Sequence, residues 1–279
     1  MTDTLAPSSP ATVTPPSPSR TRRRRRTARV LTAVWAPLAL LALWWVLSAS
    51  STSPFFPPLS RILTLWWEEW VFGPATAQLA PSIRNLLLGY LLGAGIGVVA
   101  GTVLWRFRST RVAANPLVYF LYVLPAPALL PALMALFGVG ETRQIALIAF
   151  GAIWPTLLNT LDGMRGIDEV KFDTARAMRL GRGQTLFQLV LPAAAPQMAA
   201  GLRASLQTSI ILMVVSEMVG ARQGIGYYIL QAQTVFAVPK MWTGIIMLAI
   251  VGTTVNLLFV VLERRILAWH HRSRALGSS

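Results

Sequence analysis

The stretch from Asp173 to Pro192, DTARAMRLGRGQTLFQLVLP, decides how the rest of the chain is read. It is polar, basic and helix-forming, yet it lies between two apolar segments long enough to cross a bilayer. A membrane protein that keeps such a segment at one surface has something that docks there. Residues 167 to 180 and 184 to 190 are each predicted to form a short helix, separated by Gly181, Arg182 and Gly183. Leu191-Pro192 is expected to end the second helix, because proline disfavours helix in the residue before it. Along the first helix Val170, Thr174, Ala177 or Met178, and Gly181 recur at helical spacing, a stripe of modest side chains that a partner surface can approach closely.

Working outward, the chain has 279 residues, of which 54% are hydrophobic and only 13% charged. With a positive mean hydropathy, that composition is that of a polytopic membrane protein, not of a soluble globular one. There is no cysteine, which excludes disulfides and thiolate metal sites. The two histidines, His270 and His271, are adjacent in the tail and point apart on a helix, so no metal site is expected. The net charge of +15 and the run Arg22 to Arg26 would suggest nucleic acid in a soluble chain. Here the basic run directly precedes an apolar span and reads as a topology signal, with anionic lipid headgroups as a further contact and no nucleic-acid partner.

Residues 1–29 are expected to form a disordered basic cytoplasmic tail, rich in Ser, Thr, Pro and Ala over the first 19. Residues 30–276 form the membrane domain. Its first span is expected at Val30 to Ala49; the rival, a cleaved signal peptide ending near Ser48 to Ser51, fits less well because the apolar core is long and holds Trp44 and Trp45. Residues 59–72 read as an amphipathic helix lying at the outer interface. Further spans are expected at 82–105, 112–136, Gln144 to Leu161, Ala199 to Val219 and Met241 to Leu262. Six spans place both termini on one side. If that side is the cytoplasm, inner segments hold twenty of the twenty-five Lys and Arg, and the loop around Asp173 is cytoplasmic.

Within the second span Gly89, Gly93, Gly97 and Gly101 make one flat stripe suited to close helix packing. Pro125, Pro127 and Pro131 are expected to kink the third span, either turning freed backbone toward a solute pathway, the preferred reading, or only shaping the packing. Glu217 is the carboxylate clearly inside an apolar span, one turn from its outer end, and reads either as part of an outer gate or as an interfacial group pairing with Arg222. Gln207 is a second tentative pathway residue. Asn85, Asn159, Ser209 and Asn256, like Gln207, fit either a pathway lining or hydrogen bonds between helices, and the latter is preferred.

The loop resembles the EAA loop of binding-protein-dependent ABC importer permeases, whose pattern is E-A-A, three residues, G, nine residues, I, one residue, L-P. Asp173, Thr174 and Ala175 take the first three positions, Arg179 the glycine position, and Leu189, Leu191 and Pro192 the closing ones. Because arginine stands where the pattern has its turn glycine, Gly181 or Gly183 is expected to supply the turn instead. The segments LPAPALLPALMALFGVGE (124–141), FGAIWPTLLNTLDGMRGID (150–168) and VSEMVGARQGIGYYI (215–229) are similar to the branch importing nitrate, taurine and aliphatic sulfonates.

The resemblance implies an all-α, six-span permease of the type I ABC importer fold, multi-pass in the cytoplasmic (inner) membrane. It implies a homodimer that carries no covalent catalysis and moves a small solute by alternating access. Two copies of a cytoplasmic ATPase would clamp the coupling loop (164–198) through Asp173, Thr174, Ala175, Met178, Arg179, Gly181, Leu189, Leu191 and Pro192, and an extracytoplasmic solute-binding protein would deliver substrate. ATP and magnesium would bind on the ATPase, since neither Lys171 nor Lys240 lies in a phosphate-binding loop of this chain. On this basis Ala175→Arg is expected to block docking by filling space kept open for the partner. The alternative class is an ion-coupled secondary transporter, whose uptake would survive ATP depletion and collapse with an uncoupler; a membrane enzyme is disfavoured by the lack of clustered His, Asp or Glu on one face.

Overall fold

The structure, a computed structural model, describes residues 35, 36 and 38–267. The basic tail, the start of the first expected span and the two histidines lie outside the described residues. The chain divides into two units, residues 1–60 and 61–279. In the first, the apolar helix α1 (Leu38–Ala49) runs into a turn held by Ser48, whose Oγ accepts the Leu59 N–H at 3.0 Å. The Trp44 and Phe56 rings meet there with centroids 6.4 Å apart. Helix α2 (Leu59–Trp70) crosses the boundary between the units.

The second unit is built on three long helices: α3 (Leu79–Arg106), α6 (Glu141–Arg165) and α8 (Arg182–Met218). The glycine stripe sets α3 directly against α6. A Cβ added at Gly89, Gly93, Gly97 or Gly101 would lie 2.3–2.8 Å from its nearest α6 atom, a backbone carbonyl oxygen at three of the four positions. Four glycines one turn apart thus allow the two backbones to touch, as small-residue packing in a bilayer requires. On the far side of α6, Gly151 makes room for Leu212 of α8, and Gly201 of α8 makes room for Asn159.

The prolines do more than kink a helix. Helix α4 (Arg108–Val123) ends at Leu124, Pro125 is extended, and after a short turn at Ala126–Leu129 the chain re-enters helix α5 (Leu130–Phe137) bent by 91°. The cause is cumulative: Pro125 forces Leu124 out of helix, Pro127 starts the next turn, and Pro131 lies in the first turn of α5, where a missing N–H costs nothing. By length and apolarity α3, α6, α8 and α10 (Val238–Ile266) each suffice to cross a membrane, and the bent pair α4–α5 makes a fifth candidate. The remaining expected span falls on α1 and the undescribed residues before it.

One further expectation is corrected and one is extended. Leu191-Pro192 does not end a helix. Residues 185–190 form a wide i→i+5 turn that runs into the long apolar part of α8, so the two segments are one continuous helix. Pro192 offers no N–H to the turn before it, and the widened turn absorbs that loss. Residues 59–72 are not only an interfacial helix. Trp70 of α2 is buried, its indole Nε1 donates to Thr243 Oγ at 3.2 Å, and its ring meets Tyr228 edge-on at 5.0 Å. Glu69 pairs with Lys240 at 2.6 Å, so α2 is latched to the junction of α9 (Ile225–Thr234) and α10.

Candidate functional site: the coupling loop

After α6, Gly166 breaks the helix and Asp168 starts the next by accepting the Val170 N–H at 3.0 Å, a side-chain N-cap. Helix α7 (Glu169–Ala177) then carries the motif. Its end is set by two hydrogen bonds: Arg179 N–H to the Arg176 carbonyl at 2.9 Å and Leu180 N–H to the Ala175 carbonyl at 3.0 Å. Those are the 5→2 and 6→1 bonds of a Schellman cap, whose pivot must be left-handed. Arg179 is that pivot, with φ 53°. The expectation that a nearby glycine takes the turn is overturned: Gly181 is extended at φ −65° and ψ 162°, which any residue adopts, and Gly183 lies within the helix. Gly181 instead caps α8, its N–H donating to Gln184 Oε1 at 2.9 Å.

A left-handed arginine is strained by about 1 kcal/mol relative to glycine. Arg179→Gly is therefore expected to stabilise the loop by about 1 kcal/mol, and Arg179→Val, β-branched at a positive φ, to destabilise it by at least ~1 kcal/mol. Hydrogen exchange of the Leu180 amide reads both changes.

The loop is rooted in its own chain. Met164 of α6 and Val190 and Ala194 of α8 form a buried cluster joined by Trp105 of α3, Phe172 of α7, Leu186 and Leu191. The Trp105 and Phe172 rings stack at 6.4 Å. Motion of α7 is thereby tied to three membrane helices at once.

The motif residues divide by direction. Asp173, ion-paired with Arg176 one turn on, and Thr174, bonded to the Val170 carbonyl at 2.9 Å, are exposed, as are Met178, Arg179 and Gly181. Leu189, Leu191 and Pro192 are half-buried at the root. Ala175 faces its own chain at 5% exposure. The space it keeps open is thus internal, and Ala175→Arg would unseat α7 instead of only blocking a partner. Phe187, a residue the motif pattern does not mark, is exposed along with Val170 and Met178.

At the opposite end of α8, Glu217 is buried at 1% exposure, and no Glu217–Arg222 ion pair forms among the described residues. It caps a helix. Glu217 Oε2 accepts the Gly226 N–H, Ser82 Oγ accepts that of Ile225 and Gln78 Oε1 that of Gly224, each at 2.8 Å. Three donors left open at the start of α9 are satisfied from α8 and from the start of α3. Gly224, at φ 123°, leaves space that any Cβ would take from the carboxylate, 2.4 Å away. Arg143 is fully buried near the end of α8 and donates to the Ser216 carbonyl at 3.2 Å.

Pro125, Pro127 and Pro131 are exposed at the α4–α5 elbow, and Gln207 is exposed on α8. With Gln197, Ala200, Ala204 and Ile211 it forms one continuous face at spacings of three and four. Asn85 and Asn159 are engaged between helices, Asn85 Nδ2 with Gln144 Oε1 at 2.7 Å and Asn159 Oδ1 with Gln197 Nε2 at 2.8 Å; Ser209 instead bonds the Ser205 carbonyl within its own helix.

A bundle of long apolar helices with a short capped helix rooted in its core is the architecture in which the comparisons with known proteins place this chain. The chain belongs to the family of binding-protein-dependent transport system inner membrane components, whose model matches residues 93–268. An aliphatic sulfonates transport permease protein, SsuC, of Bacillus subtilis is 33% identical over 84% of this chain and 86% of that one. The taurine transport system permease protein TauC of Escherichia coli is 28% identical over 83% and 86%. A chain of the MetNI methionine ABC transporter in an inward-facing conformation superposes with a TM-score of 0.62, covering 71% of this chain and 97% of that one; at 18% identity the likeness is one of fold. The protein is thus the multi-pass inner-membrane permease subunit of an ABC importer and not an enzyme. Membership of the family brings, in general terms, an ATPase and a solute-binding protein as partners.

Proposed function

We propose that two copies of this permease pair, and that each presents α7 and its Schellman turn to one of two cytoplasmic ATPase subunits. ATP and magnesium bind on those subunits. Asp173, Thr174, Met178, Arg179 and Gly181, with the apolar Val170 and Phe187, meet the ATPase, while Ala175, Leu189, Leu191 and Pro192 hold the loop's shape. The observation that carries this reading is the rooting cluster around Trp105, Phe172 and Val190. A rigid short helix fixed to α3, α6 and α8 converts ATPase closure into movement of the span as a body.

Pairing is supported by the α8 face through Gln197 and Gln207. Gln207, exposed within the span expected from Ala199 to Val219, favours a water-filled path or a partner protein over lipid. Together with the proline elbow, that face would line the path of the solute. The solute itself is a small sulfonate, taurine, nitrate or a similar compound, after the sulfonate and taurine permeases the chain is similar to. Reconstitution of the permease with its ATPase and solute-binding protein in vesicles tests the assignment. Uptake is expected only with ATP and all three components. Uptake by the permease alone under an ion gradient would assign it to the ion-coupled class.

A further inference from the structure

The cytoplasmic end of α3 and the coupling loop enclose an open cavity of about 660 Å³. Its walls are apolar: Val103, Trp105 and Phe107 on one side, Phe172, Leu180 and Leu186 on the other. Arg106, Arg176 and Arg182 also line it. Arg176 is paired with Asp173, but Arg106 and Arg182 have no carboxylate partner among the described residues, and Arg106 is held over the Phe107 ring at 5.5 Å. At 3.6 residues per turn, Phe172 and Arg176 lie on the side of α7 away from Val170 and Thr174. The cavity therefore opens beside the surface offered to the ATPase and borders it at Asp173, paired with Arg176, and at Gly181, between Leu180 and Arg182.

Its chemistry is two-sided. A free anion would match the arginines and leave the aromatic walls in water; a neutral lipid would cover the walls and leave two cations unmatched. The charge bias that puts this end of α3 in the cytoplasm also puts the cavity at the inner headgroup level, where anionic lipids attract basic side chains. We propose that the cavity binds an anionic phospholipid of the inner leaflet, its phosphodiester held by Arg106 and Arg182 and an acyl chain lying along Val103, Trp105 and Phe107. Because Trp105 stacks on Phe172, the bound lipid braces α7 against α3 and makes the stiffness of the coupling loop depend on membrane composition.

Native mass spectrometry of the full-length chain, released from neutral detergent after titration with phosphatidylglycerol, phosphatidylcholine or inorganic phosphate, tests this. Phosphatidylglycerol is expected to be retained in preference to phosphatidylcholine, and millimolar phosphate is expected neither to bind nor to displace it. Arg106→Gln should weaken retention about fivefold, and adding Arg182→Gln should weaken it by about the same factor again. Arg106→Lys should keep it, and Arg61→Gln, at a distant basic residue, should change nothing. Equal retention of the two lipids, binding of phosphate without an acyl chain, or full retention by the double variant would overturn the proposal. Should the double variant unfold, Arg106→Gln and the three-ligand comparison on the unaltered chain decide the matter. None of these readings requires an ATPase, so they stand or fall apart from the coupling assignment.

Discussion

Gly93→Leu is expected to lose about 3 kcal/mol of stability and most of the monodisperse protein recovered in detergent. A Cβ at Gly93 would lie 2.3 Å from the Ala149 carbonyl oxygen, 2.8 Å from Ala152 Cβ and 2.9 Å from Ala149 Cα. Two of those atoms are α6 backbone, so no side-chain rotation relieves the clash and α3 must move away. The move would open the buried cluster of Tyr90, Ala94, Ala152 and Leu206 beside it, which places the cost at the upper end of the overpacking range. Gly95 is the internal control. A Cβ there meets nothing within 4 Å, so Gly95→Leu is expected to stay within about 0.5 kcal/mol of the parent. Thermal unfolding of both variants in one detergent separates packing loss from a general intolerance of leucine in α3.

Glu217→Ala is expected to cost about 3 kcal/mol as well, through polar loss. The Gly226 N–H is buried and bonded to Glu217 Oε2 at 2.8 Å. Truncation leaves that donor without a partner and leaves space where Gly224 and Gly226 pack on the side chain. Glu217→Gln keeps an acceptor oxygen in the same place and is expected to cost about 1 kcal/mol. Thermal unfolding checks both. Equal losses for the two substitutions would assign the effect to charge and not to the hydrogen bond.

Much of this is legible in the chain, and the illegible parts share a cause. Glycines four apart declare a helix contact, because spacing along one helix suffices to align them. The coupling loop is legible in the same way, as residue types at fixed intervals. Glu217 is not, since the donors that share its task are served by Gln78 and Ser82, well over a hundred residues away, and only the fold brings α3 to α9. Ala175 misleads because a small residue on a polar helix fits an open docking face and a tight internal one equally well. Arg179 misleads differently. Propensity moves the turn to the neighbouring glycines, whereas the hydrogen bonds from Arg179 and Leu180 back to Arg176 and Ala175 fix the pivot by its place in the motif, and the arginine bears the strain.

The continuous α8 carries a related lesson. Pro192 reads as a stop, and in a solvated helix it would be one. Here the buried Val190 and Ala194 hold both sides of the proline in the cluster with Met164, and the backbone widens its turn to keep that packing. As a result α8 runs from the loop into the long apolar span as one continuous helix, which suits a force-transmitting element.

The chain contains no cysteine, so Met178→Cys introduces a single thiol on the exposed end of α7. The most direct test of the coupling assignment is thiol crosslinking from that position, in the native complex, to the cytoplasmic ATPase subunit. Gln233→Cys, exposed on α9 at the other end of the bundle, serves as the control. A permease–ATPase adduct from Met178→Cys and none from Gln233→Cys is the predicted result; no adduct from Met178→Cys, or adducts from both positions alike, would contradict the account.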